Sequence, residues 1–188
     1  MIEKFYVSDD VANNIENVLL NDDYFPWFFH STTIRTGEEF KNSTTEDSPQ
    51  LTHIFYQNGK ITSTYFESVI KVLQHSKLPL SKIDCIRIKA NLNFPLNYQK
   101  NLNSVHQSIH VDGQKNYKSF LYYVNDSDGD TLFFDDNLNE IDRVSPKKGM
   151  GVLFNSNIKH AGQNPINSKV RAVINFIWKE WLKYVAFC

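Results

Sequence analysis

Four residues in one order could do chemistry together: His110 and Asp112 in HVD, then His160, then Arg171. In an extended strand, residues two apart project to the same face, so the His110 imidazole and Asp112 carboxylate point together. His160 follows the apolar run GVLFNS (151–156), and Arg171 opens the last long apolar run, VRAVINFIW. Two imidazoles and one carboxylate form a facial ligand set suited to Fe(II), with three coordination positions left open. A bidentate 2-oxo acid can fill two of these and leave one for dioxygen. A guanidinium deeper in a barrel can hold the far carboxylate of such a co-substrate as a two-point fork. The His-x-Asp pair alone is unspecific, since a His and an Asp at a solvated strand end read the same way. The later His and Arg give it meaning.

Other candidate chemistry is weaker. His106 and His110 have the spacing of a helical zinc pair, but SIHVD favours a strand. His106 therefore reads as a polar residue near the mouth of the site. NDSDGD (125–130) alternates acids like a calcium loop, yet Gly129 comes too early and Asn137 stands where the closing Glu is needed. Asp128-Gly129 between two β runs reads instead as a hairpin turn. His30 and His53 lie among aromatics in PWFFH and THIFY, which suggests core packing. Lys147-Lys148 before Gly149 reads as a solvated turn.

These residues need a rigid β frame, and the second half of the chain supplies the pattern for one. IDCIRIKANL (83–92) alternates, with Ile86, Ile88, Ala90 and Leu92 on one face and Arg87, Lys89 and Asn91 on the other. SIHVD, YKSFLYYVN, TLFFDD, EIDRVS, GVLFNS and VRAVINFIW follow as short runs separated by turns, the spacing of a sandwich or barrel. Between them, NFPLNYQKNLNSV (93–105) has no periodicity and is expected to be a lid over the site. The first part is mixed. IEKFYV and PWFFHSTTI read as strands, Gly37–Gln50 as loop and HIFY as extended. Helices are expected from Ser8 or Asp9 to about Leu20, and from Ser63 or Thr64 to about His75.

Composition agrees with a folded protein. The chain has 188 residues, 41% hydrophobic and 22% charged, within ordinary globular usage. A net charge of −1 gives no nucleic-acid signal, and no apolar run is long enough to span a membrane. MIEKFYVSDD lacks the apolar core of a signal peptide, and Cys85 and Cys188 offer no disulfide framework. The expected setting is cytoplasmic. The expected fold class is α+β, a double-stranded β-helix (jelly-roll) core with supporting N-terminal helices. One domain is expected over 1–188, with 1–82 as mixed support and 83–180 as the core. The 14 Phe, 9 Tyr and 3 Trp are expected to wall a water-poor cavity through FLYY, LFF and INFIW.

Residues 84–178 resemble the prolyl 4-hydroxylase-like branch of the Fe(II)/2-oxoglutarate-dependent dioxygenases. The resemblance rests on HVD (110–112), FLYYVNDSDGDTLFF (120–134), PKKGMGVLFNSNIKH (146–160) and RAVINF (171–176). The YYVNDSDGDT segment is also similar to small phage-encoded oxygenases. The resemblance implies His110, Asp112 and His160 as iron ligands and Arg171 as the 2-oxoglutarate anchor. It implies that the Tyr123 hydroxyl shares that carboxylate, and that Asn175 lines the cavity. A co-substrate-contacting Tyr before HxD has no counterpart here; Asn91, Lys89 or Tyr98 is expected to replace it. The implied activity is hydroxylation of a C–H bond, with succinate and CO2 as co-products and ascorbate as a candidate reductant. The candidate substrates are a prolyl or other peptide side chain and a small molecule such as a free amino acid or modified base. A non-catalytic jelly-roll binding module is the alternative of a different class.

Overall fold

The computed structural model describes residues 2–33, 48–78, 84–96 and 106–179. Tyr98, Lys100, Cys188 and most of the expected lid (97–105) lie outside them, as do residues 37–47 of the first loop. Eleven strands form two antiparallel sheets among the described residues. The strands are β1 (Glu3–Tyr6), β2 (Phe28–His30), β3 (Gln50–Gln57), β4 (Lys60–Ile61), β5 (Asp84–Asn93) and β6 (Tyr117–Tyr123), followed by β7 (Thr131–Phe134), β8 (Glu140–Val144), β9 (Met150–Asn155), β10 (Lys159–Gly162) and β11 (Arg171–Lys179).

The large sheet runs β1-β9-β6-β11-β5-β3-β2, with β4 paired to β3; the small sheet runs β10-β7-β8. From β6 onward the chain crosses between the sheets four times, with β7 and β8 paired as neighbours in the small sheet, which is the winding of a double-stranded β-helix. The N-terminal part does more than support that core. β1 extends one edge through β9, and β3 and β2 extend the other through β5. β3 turns into β4 through Asn58-Gly59, whose φ values of 51° and 81° suit the residues that tolerate a tight hairpin.

Strand alternation divides the large sheet into two faces. Ile88, Ala90, Leu92, Phe120, Tyr122, Ile174, Phe176 and Trp178 face outward and pack under two helices. Helix α1 (Asp9–Glu16) contributes Ile15 and continues as a π-helical turn, Asn17–Asn21, that buries Leu19. Trp27 Nε1 donates to the Leu19 carbonyl at 3.2 Å, satisfying an acceptor at the helix end. Helix α2 (Phe66–His75) contributes Val69, Val72 and Leu73. Ser8 stands at the cap position of α1 without a cap bond, and α2 begins after Tyr65.

The opposite face of the large sheet meets the small sheet. Leu121, Tyr123, Met150, Val152, Phe154 and Val173 pack there against Phe133 and Val144. The aromatic excess is therefore divided, and the expected cavity wall is corrected. Phe120, Tyr122, Phe176 and Trp178 lie on the helix side of the sheet, with Phe134 in a separate cluster beyond the small sheet.

NDSDGD is also corrected, because β6 and β7 belong to different sheets and no hairpin joins them. The segment is a crossover clamped to the chain before β11. The Asp128 carboxylate accepts backbone N–H groups of Ile166, Asn167 and Ser168 at 3.1, 2.7 and 3.2 Å. Burial opposes its ionisation, but these donors prevail and hold its pKa at about 2. The Lys147-Lys148 turn is likewise tied down, by Lys148 pairing with Glu16 of α1.

Two predictions concern this frame. A Cβ on Gly151 would come within 2.1 Å of the Phe120 ring, so the close β6–β9 approach requires glycine there. Gly151→Ala is expected to lower unfolding stability by about 1–3 kcal/mol, measured by urea denaturation. Asp128→Asn keeps the shape and removes the charge. It should cost about 1 kcal/mol at neutral pH, a small figure because the carboxylate is solvent-exposed. The depressed folded pKa makes this contribution complete above about pH 4 and lost as pH falls toward 2. The two unfolding curves should converge in acid; a constant separation would refute the charge argument.

Candidate metal centre

The segment 106–112 forms no regular strand, but it docks on β10 through two isolated pairs, His106 with Gln163 and His110 with His160. His110 N donates to His160 O at 3.0 Å, and His160 N donates to His110 O at 2.9 Å. Residues paired this way project to one face, and the two imidazole centroids lie 4.5 Å apart. Each ring is oriented by its own chain: Nδ1 of His110 bonds the Ser108 carbonyl at 3.0 Å, and Nδ1 of His160 bonds the Ile158 carbonyl at 2.9 Å. A carbonyl only accepts, so each Nδ1 carries a proton and each Nε2 is the nitrogen left to face a ligand.

Asp112 completes the group. Its backbone N–H donates to Ser156 O at 2.8 Å, which turns the carboxylate toward the two rings. Asn175 Nδ2 donates to Oδ1 at 2.9 Å and Oδ2 at 3.0 Å, and Ser119 Oγ donates to Oδ2 at 2.8 Å. One ligand atom from each of His110, Asp112 and His160 lies within 4.8 Å of the others. His160 Nε2 is 3.6 Å from Asp112 Oδ2.

Burial and the adjacent His160 push the His110 pKa down to about 4. Burial works against ionisation of Asp112, but His160, His110, Arg87 and the Asn175 amide outweigh it and hold its pKa at about 2. A neutral imidazole and an ionised carboxylate are the forms that bind a divalent cation. The donor set is nitrogen and oxygen without thiolate, and it fits Fe(II).

A cleft of about 840 Å³ leads from this group to Arg171. Arg171 is 4% exposed; its Nε donates to Gly129 O and its Nη2 to Thr131 Oγ1, both at 2.7 Å. Thr131 Oγ1 also accepts the Tyr123 hydroxyl at 2.9 Å. Gly129 and Gly162 are bare where the arginine passes, since a Cβ on either would crowd its side chain. Burial depresses the Arg171 pKa, and no carboxylate among the described residues lies within ion-pair distance of its guanidinium. A buried cation without a counter-ion is costly, so this end of the cleft is built to receive an anion.

The expected residues therefore fall in different places. His110, Asp112, His160 and Arg171 meet in one cleft, and Asn91, Lys89 and Asn175 line it. Asn175 is engaged with Asp112. Tyr123 lies behind Thr131 and does not line the cleft. His53 is a core residue, bonded to Pro26 O and Ser63 Oγ. His30 contradicts the core expectation: it is exposed and lines the cleft. His106 packs its ring against Phe134, away from the metal ligands. Sequence reading missed Ser119, Thr131 and Ser156, isolated hydroxyls whose partners are distant in the chain. Arg87 was placed on the correct strand face without a role.

No family model and no curated protein matches the chain. Solved structures do. A Pseudomonas putida prolyl-4-hydroxylase is 13% identical, with 97% of this chain and 92% of that one covered at a TM-score of 0.55. The viral collagen prolyl hydroxylase of Paramecium Bursaria Chlorella virus-1, in its 2OG complex, is 16% identical over 95% and 96%, with a TM-score of 0.52. SnoN, a non-heme alpha ketoglutarate dependent epimerase from nogalamycin biosynthesis, is 9% identical over 95% and 78%, with a TM-score of 0.62. The chain thus has the jelly-roll fold of the 2-oxoglutarate- and Fe(II)-dependent oxygenases.

Proposed function

We propose that this protein is an Fe(II)- and 2-oxoglutarate-dependent dioxygenase that hydroxylates a C–H bond. One observation carries the reading: the His110–Asp112–His160 group and the buried, carboxylate-free Arg171 stand at two points of the same cleft. His110, Asp112 and His160 would hold iron, with three positions left open. Bound iron supplies the coupling of dioxygen reduction to decarboxylation of 2-oxoglutarate, with one oxygen atom entering succinate and the other the substrate hydroxyl.

The chain's own residues orient this chemistry. Arg171 binds the far carboxylate of 2-oxoglutarate, and Thr131, steadied by Tyr123, fixes the guanidinium plane. Asn175 and Ser119 stop Asp112 from rotating away from the metal. Leu121 and Val173 form an apolar floor that limits water near the reacting atoms.

Among the structural neighbours, the two prolyl hydroxylases support a peptide side chain, prolyl or other, as the substrate. A second reading, a small polar molecule, is supported by the cleft wall, where Gln50, Thr52, Gln57, Asn91 and Asn93 all offer hydrogen-bonding groups.

Anaerobic addition of Fe(II) and 2-oxoglutarate should give the weak visible charge-transfer band of the chelate, and air should then yield succinate. Asp112→Ala is expected to lose both. Arg171→Met should retain iron but need about 100-fold more 2-oxoglutarate for half the band, the loss typical of an unpartnered buried ionic contact of about 3 kcal/mol. Full succinate formation by Asp112→Ala would overturn the assignment.

A further inference from the structure

The proposed reaction leaves Arg87, a cation that lines the cleft beside the metal ligands, without a task. Arg87 projects from β5 into the cleft, next to Asp112 and across from Gln57 of β3. Its Nη2 lies 3.6 Å from Asp112 Oδ1, an ion pair too long for a hydrogen bond. Among the described residues its Nε, which is buried, has no hydrogen-bond partner, while the side chain as a whole is 32% exposed. The guanidinium thus has an unsatisfied Nε donor on a side chain that lines the cleft.

Asp112 cannot satisfy it. The amide of Asn175 and the hydroxyl of Ser119 already occupy its oxygens, and a metal ion would claim the remaining lone pair. Charge balance leads to the same result. In the complex proposed above, the divalent ion and Arg171 cancel the charges of Asp112 and the 2-oxoglutarate dianion. Arg87, like Lys89 of the same strand, is additional to that balance, and Arg87 lies beside Asp112 in a partly desolvated wall where an unmatched charge is strongly felt.

We propose that the substrate carries an oxyanion, carboxylate or phosphate, which Arg87 grips beside the metal while a neighbouring C–H bond is presented for hydroxylation. This rests on the Fe(II)/2-oxoglutarate reading, and it narrows the substrate to an acidic, hydrophilic molecule or an acidic side chain. A neutral prolyl ring would leave the guanidinium unpaired. Gln57, on the neighbouring strand and the same wall, is placed to donate to the same anion.

The chain has four arginines, Arg35, Arg87, Arg143 and Arg171, so their side-chain Nε–Hε signals can be resolved by ¹⁵N–¹H NMR. Each signal is assigned by its loss in the Arg→Lys variant. In the Zn(II)-loaded protein, 2-oxoglutarate should shift the Arg171 signal. Sodium acetate or inorganic phosphate, titrated into that complex, should then shift the Arg87 signal saturably, while acetamide leaves it in place. The anion that saturates at the lower concentration identifies carboxylate or phosphate as the preferred group.

Arg87→Gln should raise the half-saturating anion concentration, followed on the Gln57 side-chain amide, by about tenfold or more. An Arg87 signal that ignores both anions, or that already responds to 2-oxoglutarate, overturns the proposal. So does an unchanged half-saturation in Arg87→Gln. A silent Arg171 signal on addition of 2-oxoglutarate overturns the co-substrate reading instead, so the two failures are distinct.

Discussion

The reciprocal backbone pair between His110 and His160 is the constraint on which the site depends. It fixes two imidazoles on one face of the small sheet before any ligand is present. Asp112 then needs only two more residues of chain to reach the same face. Its backbone bond to Ser156 O makes that direction independent of a regular ladder. Rotation of the rings is removed by two carbonyls, and rotation of the carboxylate by Asn175 and Ser119. The centre is thus held almost entirely by groups that do not touch the metal position.

That arrangement explains why some of the site was legible in the sequence and some was not. Strand spacing put His110 and Asp112 on one face, as the backbone bonds to His160 and Ser156 do without a regular strand, and IDCIRIKANL showed which side chains of β5 oppose the core. Arg171 opens the last strand, where an inward cation can lie at the end of an apolar interior. Ser119, Ser156 and Thr131 carry no such mark. A hydroxyl on a strand is ordinary, and its meaning comes from partners that the sheet pairing supplies: Asp112 for Ser119, Arg171 and Tyr123 for Thr131. NDSDGD failed for a related reason. Its turn chemistry was real, but whether β6 and β7 pair or part is decided by the sandwich, and they part. His30 was misplaced because its aromatic neighbours Phe28 and Phe29 are themselves exposed on an edge strand.

The two faces of the large sheet divide the work of stability and function. Its outer face, covered by α1 and α2, buries Phe55, Phe120, Tyr122, Phe176 and Trp178 without any demand from the site. Its inner face can therefore change character along its length. Tyr123 and Phe154, packed against Phe133 of the small sheet, fill one part, and Arg87, Asn91, Asn93 and Asn175 line the other. A sandwich with a single apolar interface could not leave so many polar groups on its inner wall, since each unpartnered one carries a desolvation cost of about 1–3 kcal/mol.

Those unpartnered atoms show how the cost is distributed. Asn91 Oδ1, Asn93 Nδ2, Asn175 Oδ1 and Arg87 Nε are all buried without hydrogen-bond partners, and all four residues line the cleft. Among the described residues the remaining such atom, Tyr122 Oη, belongs to the helix-side core, so the unsatisfied groups concentrate where ligands would bind. Folding alone gains nothing from this concentration. A cleft that presents a donor fork, two amide oxygens and an amide nitrogen gains from a hydrophilic occupant what it forgoes when empty. Arg171, with its carbonyl and hydroxyl partners, is the better satisfied of the two cleft arginines. Arg87 retains the greater unmet demand, and for that reason specificity for substrate is best sought on β5.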